Sequence, residues 1–208
     1  MDVKFIQNLE KRLYQDLPGE AYQNLMAPKG SEKYRSVTPD HKVACVLALL
    51  FPKDDEWHIS LIERASQHPE DKHAGQISFP GGKLNTSDYS YEDCALRETY
   101  EEIGVPPENV GILGSLTPVF VYVSNFLVHP FVGFTTEYPR FNKQDSEVKS
   151  IIEVPLTHFI KPKNKGTADI QVRDIVLPDT PYYDIYGYKL WGATAMIISE
   201  FEQILKED

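Results

Sequence analysis

Apolar positions recur at helical spacing in three stretches of this chain, and between those stretches they alternate or run together as they do in strands. Ile6, Leu9, Leu13 and Leu17 form one stripe, predicting an amphipathic helix closed by Pro18-Gly19. Residues 20–40 scatter Pro, Gly, Ser and Lys without a period, which predicts an extended lead-in. Val43–Phe51 predicts a buried strand, and Lys53-Asp54-Asp55-Glu56 a hairpin turn into a second strand, Trp57–Arg64. A polar loop, Ala65–Ala74, leads to a short strand around Gln76–Phe79, which Pro80-Gly81-Gly82 breaks. After a loop to about Tyr89, Tyr91–Ile103 has helical spacing. Ser90 suits its N-cap, Asp93 the capping-box acid, and Gly104 the left-handed position past its end, and Pro106-Pro107 forbids continuation. Strands follow near Val110–Leu113, Leu116–Val123, Phe126–Gly133 and Val148–Val154, with two more at Ala168–Val176 and Tyr186–Leu190. A final helix, Gly192–Leu205, turns Ala195, Ile198, Phe201 and Leu205 inward.

Strands outnumber helices, and the helix at Tyr91 is inserted among them. This predicts a mixed α/β/α sandwich, not an alternating βαβ sheet. At 208 residues the chain suits one α/β domain with a short extension: an N-terminal helix and lead-in over 1–39 and the main domain over 40–208. It has no internal repeats and no low-complexity segment.

Composition then narrows the function. Acidic residues outnumber basic ones 31 to 21, a formal net charge of −10. No Lys/Arg cluster offsets this, so the surface repels nucleic acid and anionic lipid, and binding to nucleic acid is not expected as the main function. The two cysteines, Cys45 and Cys94, form no C-x-x-C pair and fit packing roles. The longest unbroken apolar run, Val43–Phe51, is less than half a bilayer span, and the charged N-terminus has no signal-peptide core. The expectation is a protein of the reducing cytoplasm that does not engage membranes.

The informative stretch is Gly81-Gly82, then fourteen residues, then Arg97-Glu98-Thr99-Tyr100-Glu101-Glu102-Ile103-Gly104-Val105. On a helix Glu98, Glu101 and Glu102 share a face, while Ala95, Thr99 and Ile103 form another stripe directed at the core. Arg97 is the one nearby cation, within reach of Glu101 and of Asp93. Three carboxylates so placed repel one another by a few tenths of a kcal/mol per pair and invite a hard divalent cation, Mg²⁺ or Mn²⁺. Glycines ending a strand leave backbone carbonyls and amides open to a ligand.

These residues resemble the Nudix box, G-x5-E-x7-R-E-U-x-E-E-x-G-U with U a bulky aliphatic residue. The second half matches with Thr99 at a U position. Gly82 to Arg97 is one residue longer than the standard spacing, and the mid-box Glu position is Tyr89, with Asp88 beside it. A lengthened loop without that Glu is similar to the coenzyme A pyrophosphatase branch of the family. Three further segments also resemble that branch: Leu61-Ile62-Glu63-Arg64-Ala65-Ser66 with Lys72-His73-Ala74-Gly75-Gln76-Ile77-Ser78-Phe79-Pro80-Gly81-Gly82, Ser146-Glu147-Val148 with Glu153-Val154-Pro155-Leu156, and Trp191-Gly192-Ala193-Thr194-Ala195. Two departures bear on substrate. The loop from Arg64 to Gln76 is about two residues longer than the branch pattern, and the arginine expected four residues before Gly75 is Asp71, with Lys72 adjacent.

The resemblance implies a Nudix hydrolase domain over 40–208 and hydrolysis of a diphosphate by water with one to three divalent ions. It implies Glu98 and Glu102 as principal metal ligands, Glu101 as a further one, and the Gly82 carbonyl as a backbone ligand. Arg97 is expected to orient a box carboxylate. The general base is either a box Glu or a carboxylate from a later loop, with Glu147 as the candidate. Arg64, Lys72, His73 and the Gly81-Gly82 turn are candidate substrate contacts. The expected substrate is a small nucleotide-containing molecule, coenzyme A-like in the first instance, with an ADP-ribose or dinucleotide pyrophosphatase and a non-catalytic nucleotide sensor as alternatives. Monomer and homodimer both remain open.

Overall fold

The computed structural model of the chain describes residues 3–31, 34, 36–65, 75–172 and 174–206. Helix α1 (Val3–Leu13) and the short α2 (Glu20–Gln23) lead into β1 (Lys42–Lys53) and β2 (Glu56–Arg64). Strands β3 (Ile77–Ser78) and β4 (Gly81–Lys83) precede α3 (Tyr91–Ile103). Next come β5 (Gly111–Ser115), β6 (Val119–Val121), β7 (Phe126–Phe134) and β8 (Val148–Pro155), then a single turn, α4 (Leu156–Phe159). The chain closes with β9 (Lys165–Val172), β10 (Ile175–Ile185), β11 (Tyr188–Leu190) and α5 (Gly192–Lys206).

Eight strands form one sheet whose main path is β3-β2-β1-β7-β5, with β4 and β6 extending β1 and β7 and with β8 paired to β2. The β1–β7 pair is parallel and the other pairs are antiparallel, so the sheet is mixed. Alternation along β1 divides the core. Cys45, Leu47 and Leu49 pack with Ile62, Cys94, Ala95 and Ile103 beneath α3, while Ala48 and Leu50 join Ile6, Leu9, Leu13, Ile198 and Phe201 beneath α1 and α5. Helices therefore cover both faces, giving the expected α/β/α sandwich. Among the described residues no helix is long and apolar enough to cross a membrane.

Local chemistry explains the elements that match expectation. Asp54 and Asp55 both adopt positive φ (49° and 59°), the conformation a two-residue hairpin turn demands. Ser90 Oγ accepts from the Asp93 amide at 3.1 Å, and Gly104 ends α3 at φ 75°.

Helix α1 ends at Leu13, short of the Pro18-Gly19 stop, and β6 and β11 are shorter than expected; three further expectations need correction. Residues 20–40 are not wholly extended, because α2 and a 3₁₀ turn at Asn24–Met26 lie against α5, tied there by Gln23. Pro80-Gly81-Gly82 does not end the pairing, since β4 begins at Gly81 and pairs with β1 (Cys45 opposite Gly82). Ala168–Val176 is not one strand. The chain turns at Asp174, and β9 and β10 form a hairpin that belongs to a separate three-stranded sheet. Pro178 disguises β10 in the sequence, but it falls in the bulge between Leu177 and Thr180, where a missing N–H costs no ladder bond.

Candidate active site

The site is built where β4 passes under α3. Gly81 has φ 152°, and a Cβ there would collide with the Cys45 carbonyl and the Val46 backbone of β1, so only glycine lets β4 come this close. The consequence is chemical, because the Gly81 amide then points at α3 and donates to Glu102 Oε2 at 2.8 Å. At Gly82 a Cβ would collide with the Glu98 carboxylate. The missing methyl is the space in which Glu98 lies against the backbone of Gly82.

The three helix carboxylates share a face but not an environment. Glu102 is 1% exposed; the Glu98 and Glu101 side chains are 14% and 53% exposed. Burial pushes the Glu102 carboxyl up to about 7, against the Gly81 amide and Arg64, which lower it, and with the charges of Glu98 and Glu147, which raise it further. Burial likewise raises Glu98, opposed by Arg97 and assisted by Glu101 and Glu147.

Arg97 organises the outer side of the cluster. Its Nε and Nη2 donate to the two oxygens of Asp88 at 2.7 and 3.0 Å, a bidentate pair. Nη1 donates to Glu98 at 2.8 Å and to Glu101 at 3.0 Å, and Nη2 also reaches the Lys83 carbonyl at 3.2 Å. Arg97 thus has Asp88 as its partner across the loop, in place of the Asp93 that helical spacing offered. Its guanidinium holds Asp88 down at about 2. Tyr89, at the mid-box position, is 99% exposed and takes no part. Thr99, at the aliphatic box position, is buried and turns its hydroxyl back onto the Ala95 carbonyl at 2.7 Å, which lets a polar residue face the core.

Arg64 and Glu147 come to the same place from other elements. Arg64, at the end of β2, sets Nη1 3.5 Å from Glu102 Oε1. The loop carrying Glu147 is stitched to the end of α3 by bonds from the Asn142 amide to the Ile103 carbonyl and from the Gln144 amide to the Glu102 carbonyl, both 2.9 Å. The Glu147 carbonyl accepts from the Ala65 amide at 2.8 Å, and the Glu147 side chain is exposed. Of the sequence-derived candidates, Arg64, Gly81, Gly82, Arg97, Glu98, Glu101, Glu102 and Glu147 converge here. Lys72 and His73 lie outside the described residues. Asp88 is the residue the sequence reading did not assign; its signal was its place one residue before the mid-box position.

No three acidic, His or Cys side chains among the described residues are closed around a common centre as a finished cage. The donor set nevertheless fits a hard cation, with two largely buried carboxylates, a third more exposed and a backbone carbonyl, all oxygen. Glu98 and Glu102 are short of compensating positive charge, which a divalent ion would supply.

Fold and site together define an α/β/α sandwich whose central helix presents a carboxylate cluster to a glycine turn. Comparison with known proteins agrees. The NUDIX domain family matches residues 41–173. The "Uncharacterized Nudix hydrolase NudL" of Enterobacter sp. strain 638 is 34% identical over 177 residues, 85% of this chain and 87% of that protein. A protein of the same description from Citrobacter koseri is 39% identical over 130 residues, 62% of this chain and 66% of its own length. Among solved structures, a MutT/nudix family protein from Enterococcus faecalis shares the fold, with a TM-score of 0.53 at 22% identity over 81% of this chain and 63% of that one. The chain belongs to the Nudix hydrolase family.

Proposed function

We propose that the protein is a cytoplasmic, Mg²⁺- or Mn²⁺-dependent pyrophosphohydrolase that cleaves coenzyme A or an acyl-coenzyme A to 3′,5′-ADP and (acyl-)4′-phosphopantetheine. The observation that carries the reaction class is the pairing of Glu102 and Glu98 with the glycine turn, where burial raises both acids and one oxygen-lined corner collects them. The substrate branch rests on the segments around Arg64, Glu147 and Trp191 that resemble coenzyme A pyrophosphatases.

In this reading Glu98, Glu102, Glu101 and the Gly82 carbonyl hold the metal. When bound, it supplies positive charge that offsets diphosphate repulsion, polarises the phosphoryl oxygens and acidifies a water. Arg97, anchored on Asp88, holds the Glu98 and Glu101 carboxylates in place, Glu98 against Gly82. Glu147 takes the proton of the attacking water as the new P–O bond forms and the P–O bond to the leaving phosphate breaks. Arg64 meets a phosphoryl oxygen, and Lys72 and His73 extend the substrate contacts. Lys72 stands beside the position of the expected arginine and gives a point charge for a 3′-phosphate without a bidentate fork.

The test is product identification by mass after incubation with coenzyme A and Mn²⁺, with a chelator control. Metal-dependent 3′,5′-ADP and 4′-phosphopantetheine are expected. Cleavage only of ADP-ribose or dinucleotides would overturn the coenzyme A assignment. Nucleotide binding without cleavage of any of them would turn the reading to a sensor.

A further inference from the structure

Strand β3 carries a serine whose hydroxyl has no partner among the described residues. Ser78 stands opposite Ile62 of β2, and Ile62 packs under α3 with Cys94 and Ile103. Two residues along β2, Arg64 reaches the same helix at Glu102. Ser78 and Arg64 are therefore diagonal neighbours on the α3 face of the sheet, within side-chain reach of each other. Ser78 Oγ and Arg64 Nε are both shut off from solvent, and neither has a hydrogen-bond partner among the described residues.

Two polar atoms without a protein partner on neighbouring positions of one sheet face are an uncommon arrangement in a folded chain, and they call for an acceptor. An Nε–H can only donate and the serine hydroxyl can donate, so the missing group is an oxygen. Its charge follows from the surroundings. The Arg64 guanidinium meets the Glu102 carboxylate only through one long Nη1 contact of 3.5 Å, which leaves its Nε edge unmatched. An anionic oxygen answers both the charge and the direction; a water molecule answers the direction alone. Both atoms are closed to solvent as the side chains stand, but the outer part of the Arg64 side chain is 32% exposed and its contact to Glu102 is long, so the guanidinium must swing outward for an incoming oxygen to reach Nε and Ser78 Oγ.

We propose that Ser78 Oγ and Arg64 Nε form a subsite for one non-bridging phosphoryl oxygen of the substrate's diphosphate, making Ser78 a substrate-binding residue. The proposal rests on the pyrophosphohydrolase reading and deepens it. The diphosphate would lie with its charge matched on one side by Arg64 and Ser78 and on the other by the carboxylate-held cation.

The experiment compares wild type with Ser78→Ala, Ser78→Thr and Arg64→Lys by calorimetric titration with inorganic pyrophosphate and Mg²⁺ and by turnover of coenzyme A, ADP-ribose and a dinucleoside polyphosphate. Ser78→Ala should weaken pyrophosphate binding, and lower kcat/KM for each substrate that wild type cleaves, by a common factor on the order of 10- to 100-fold. Ser78→Thr, which keeps the hydroxyl, should restore most of it, and Arg64→Lys, which keeps the charge but lacks Nε, should show the loss. Unchanged pyrophosphate affinity in Ser78→Ala or in Arg64→Lys overturns the subsite, as do equal losses in Ser78→Ala and Ser78→Thr. A wild type that binds pyrophosphate through Ser78 yet cleaves none of the substrates would sink the hydrolase reading and leave the subsite standing.

Discussion

Replacing Asp88 with asparagine tests whether the Arg97 fork is anchored as the structure has it. The Asp88 side chain is 3% exposed and gives both oxygens to Arg97, at 2.7 and 3.0 Å. Asparagine keeps at most one acceptor and no charge. A carboxyl lowered from 3.8 to about 2 by folding stabilises the folded state by about 2 kcal/mol at neutral pH. The direction with pH follows from that lowering. Above about pH 5 the acid is ionised folded and unfolded, and the whole contribution is present. As pH falls through 3.8 the unfolded chain takes up the proton first, and below about 2 both states hold it and nothing is left. Asparagine does not titrate. The stability gap between wild type and Asp88→Asn should therefore be about 2 kcal/mol at pH 7 and roughly half that at pH 3. Urea denaturation at both pH values, with chelator present so that metal linkage does not enter, measures it. Arg97 retains Glu98 and Glu101 in the variant, so kcat should fall by only about tenfold. A gap that stays constant between pH 7 and pH 3, or one below about 0.5 kcal/mol at pH 7, would refute the anchoring role.

Glu102→Gln should abolish metal-dependent turnover while stabilising the metal-free protein at high pH. An acid raised to about 7 favours the folded state most below its unfolded value of 4.5, and that advantage, up to about 3 kcal/mol, is lost as pH rises through 7; chelator-treated melts at pH 5 and pH 8 check this. Gly82→Ala should cost little stability, since the Glu98 side chain can swing away from the new methyl, yet reduce turnover at least 100-fold. Gly81→Ala meets β1 backbone at φ 152° and should fail to fold stably, as circular dichroism would show. Glu200→Ala removes a buried carboxylate that accepts from Gly19 N, Gln23 Nε2 and both Thr117 N and Oγ1. Denaturation should register a loss of about 3 kcal/mol, the cost of leaving those buried donors unpaired, with kcat per folded molecule unchanged.

What was legible in the sequence was what is decided locally. Helix α3 has the boundaries its caps predicted because Ser90 and Gly104 act on the backbone within one turn of themselves. The carboxylate face was legible for the same reason, since spacing alone places Glu98, Glu101 and Glu102. What spacing could not give is how deeply each acid sits, and that depends on Gly81 bringing β4 against β1. Asp88 is not legible as the partner of Arg97, because their bond crosses a loop that has no period. On α5 Ala195, Ile198 and Phe201 of the expected inward stripe are buried and Leu205 partly so, but Glu200 and Glu202 are buried there too. Their partners lie far along the chain, Gln23 for Glu200 and Lys165 and Tyr183 for Glu202. The strand β10 is obscured in the sequence by Pro178, which the bulge between Leu177 and Thr180 makes tolerable.

The buried acids on the two faces of the sheet show why one group stabilises the fold and the other is suited to chemistry. Glu202 accepts from Lys165 and from the Tyr183 hydroxyl, with Lys206 at its side, and despite burial its carboxyl is held below the usual range. Glu63, between Lys149 and Ser150, is held low in the same way. There the protein supplies the positive charge itself, and a cation from solution gains nothing. Glu98 and Glu102 also have donors, in Arg97, the Gly81 amide and Arg64, but these do not outweigh desolvation and the nearby charges, Glu101 and Glu147 for Glu98, and Glu98 and Glu147 for Glu102, and both acids are raised. A carboxylate left short of compensation inside a protein costs stability unless something else carries the missing charge. Among the described residues this deficit lies beside the glycine turn; if the proposed cation binds there, the energy lost in folding the metal-free chain is returned on binding, and metal affinity should rise with pH up to the Glu102 value near 7 and level off above it. Titration of Mn²⁺ binding between pH 5.5 and 8 measures that rise, and a pH-independent affinity would contradict the compensation argument.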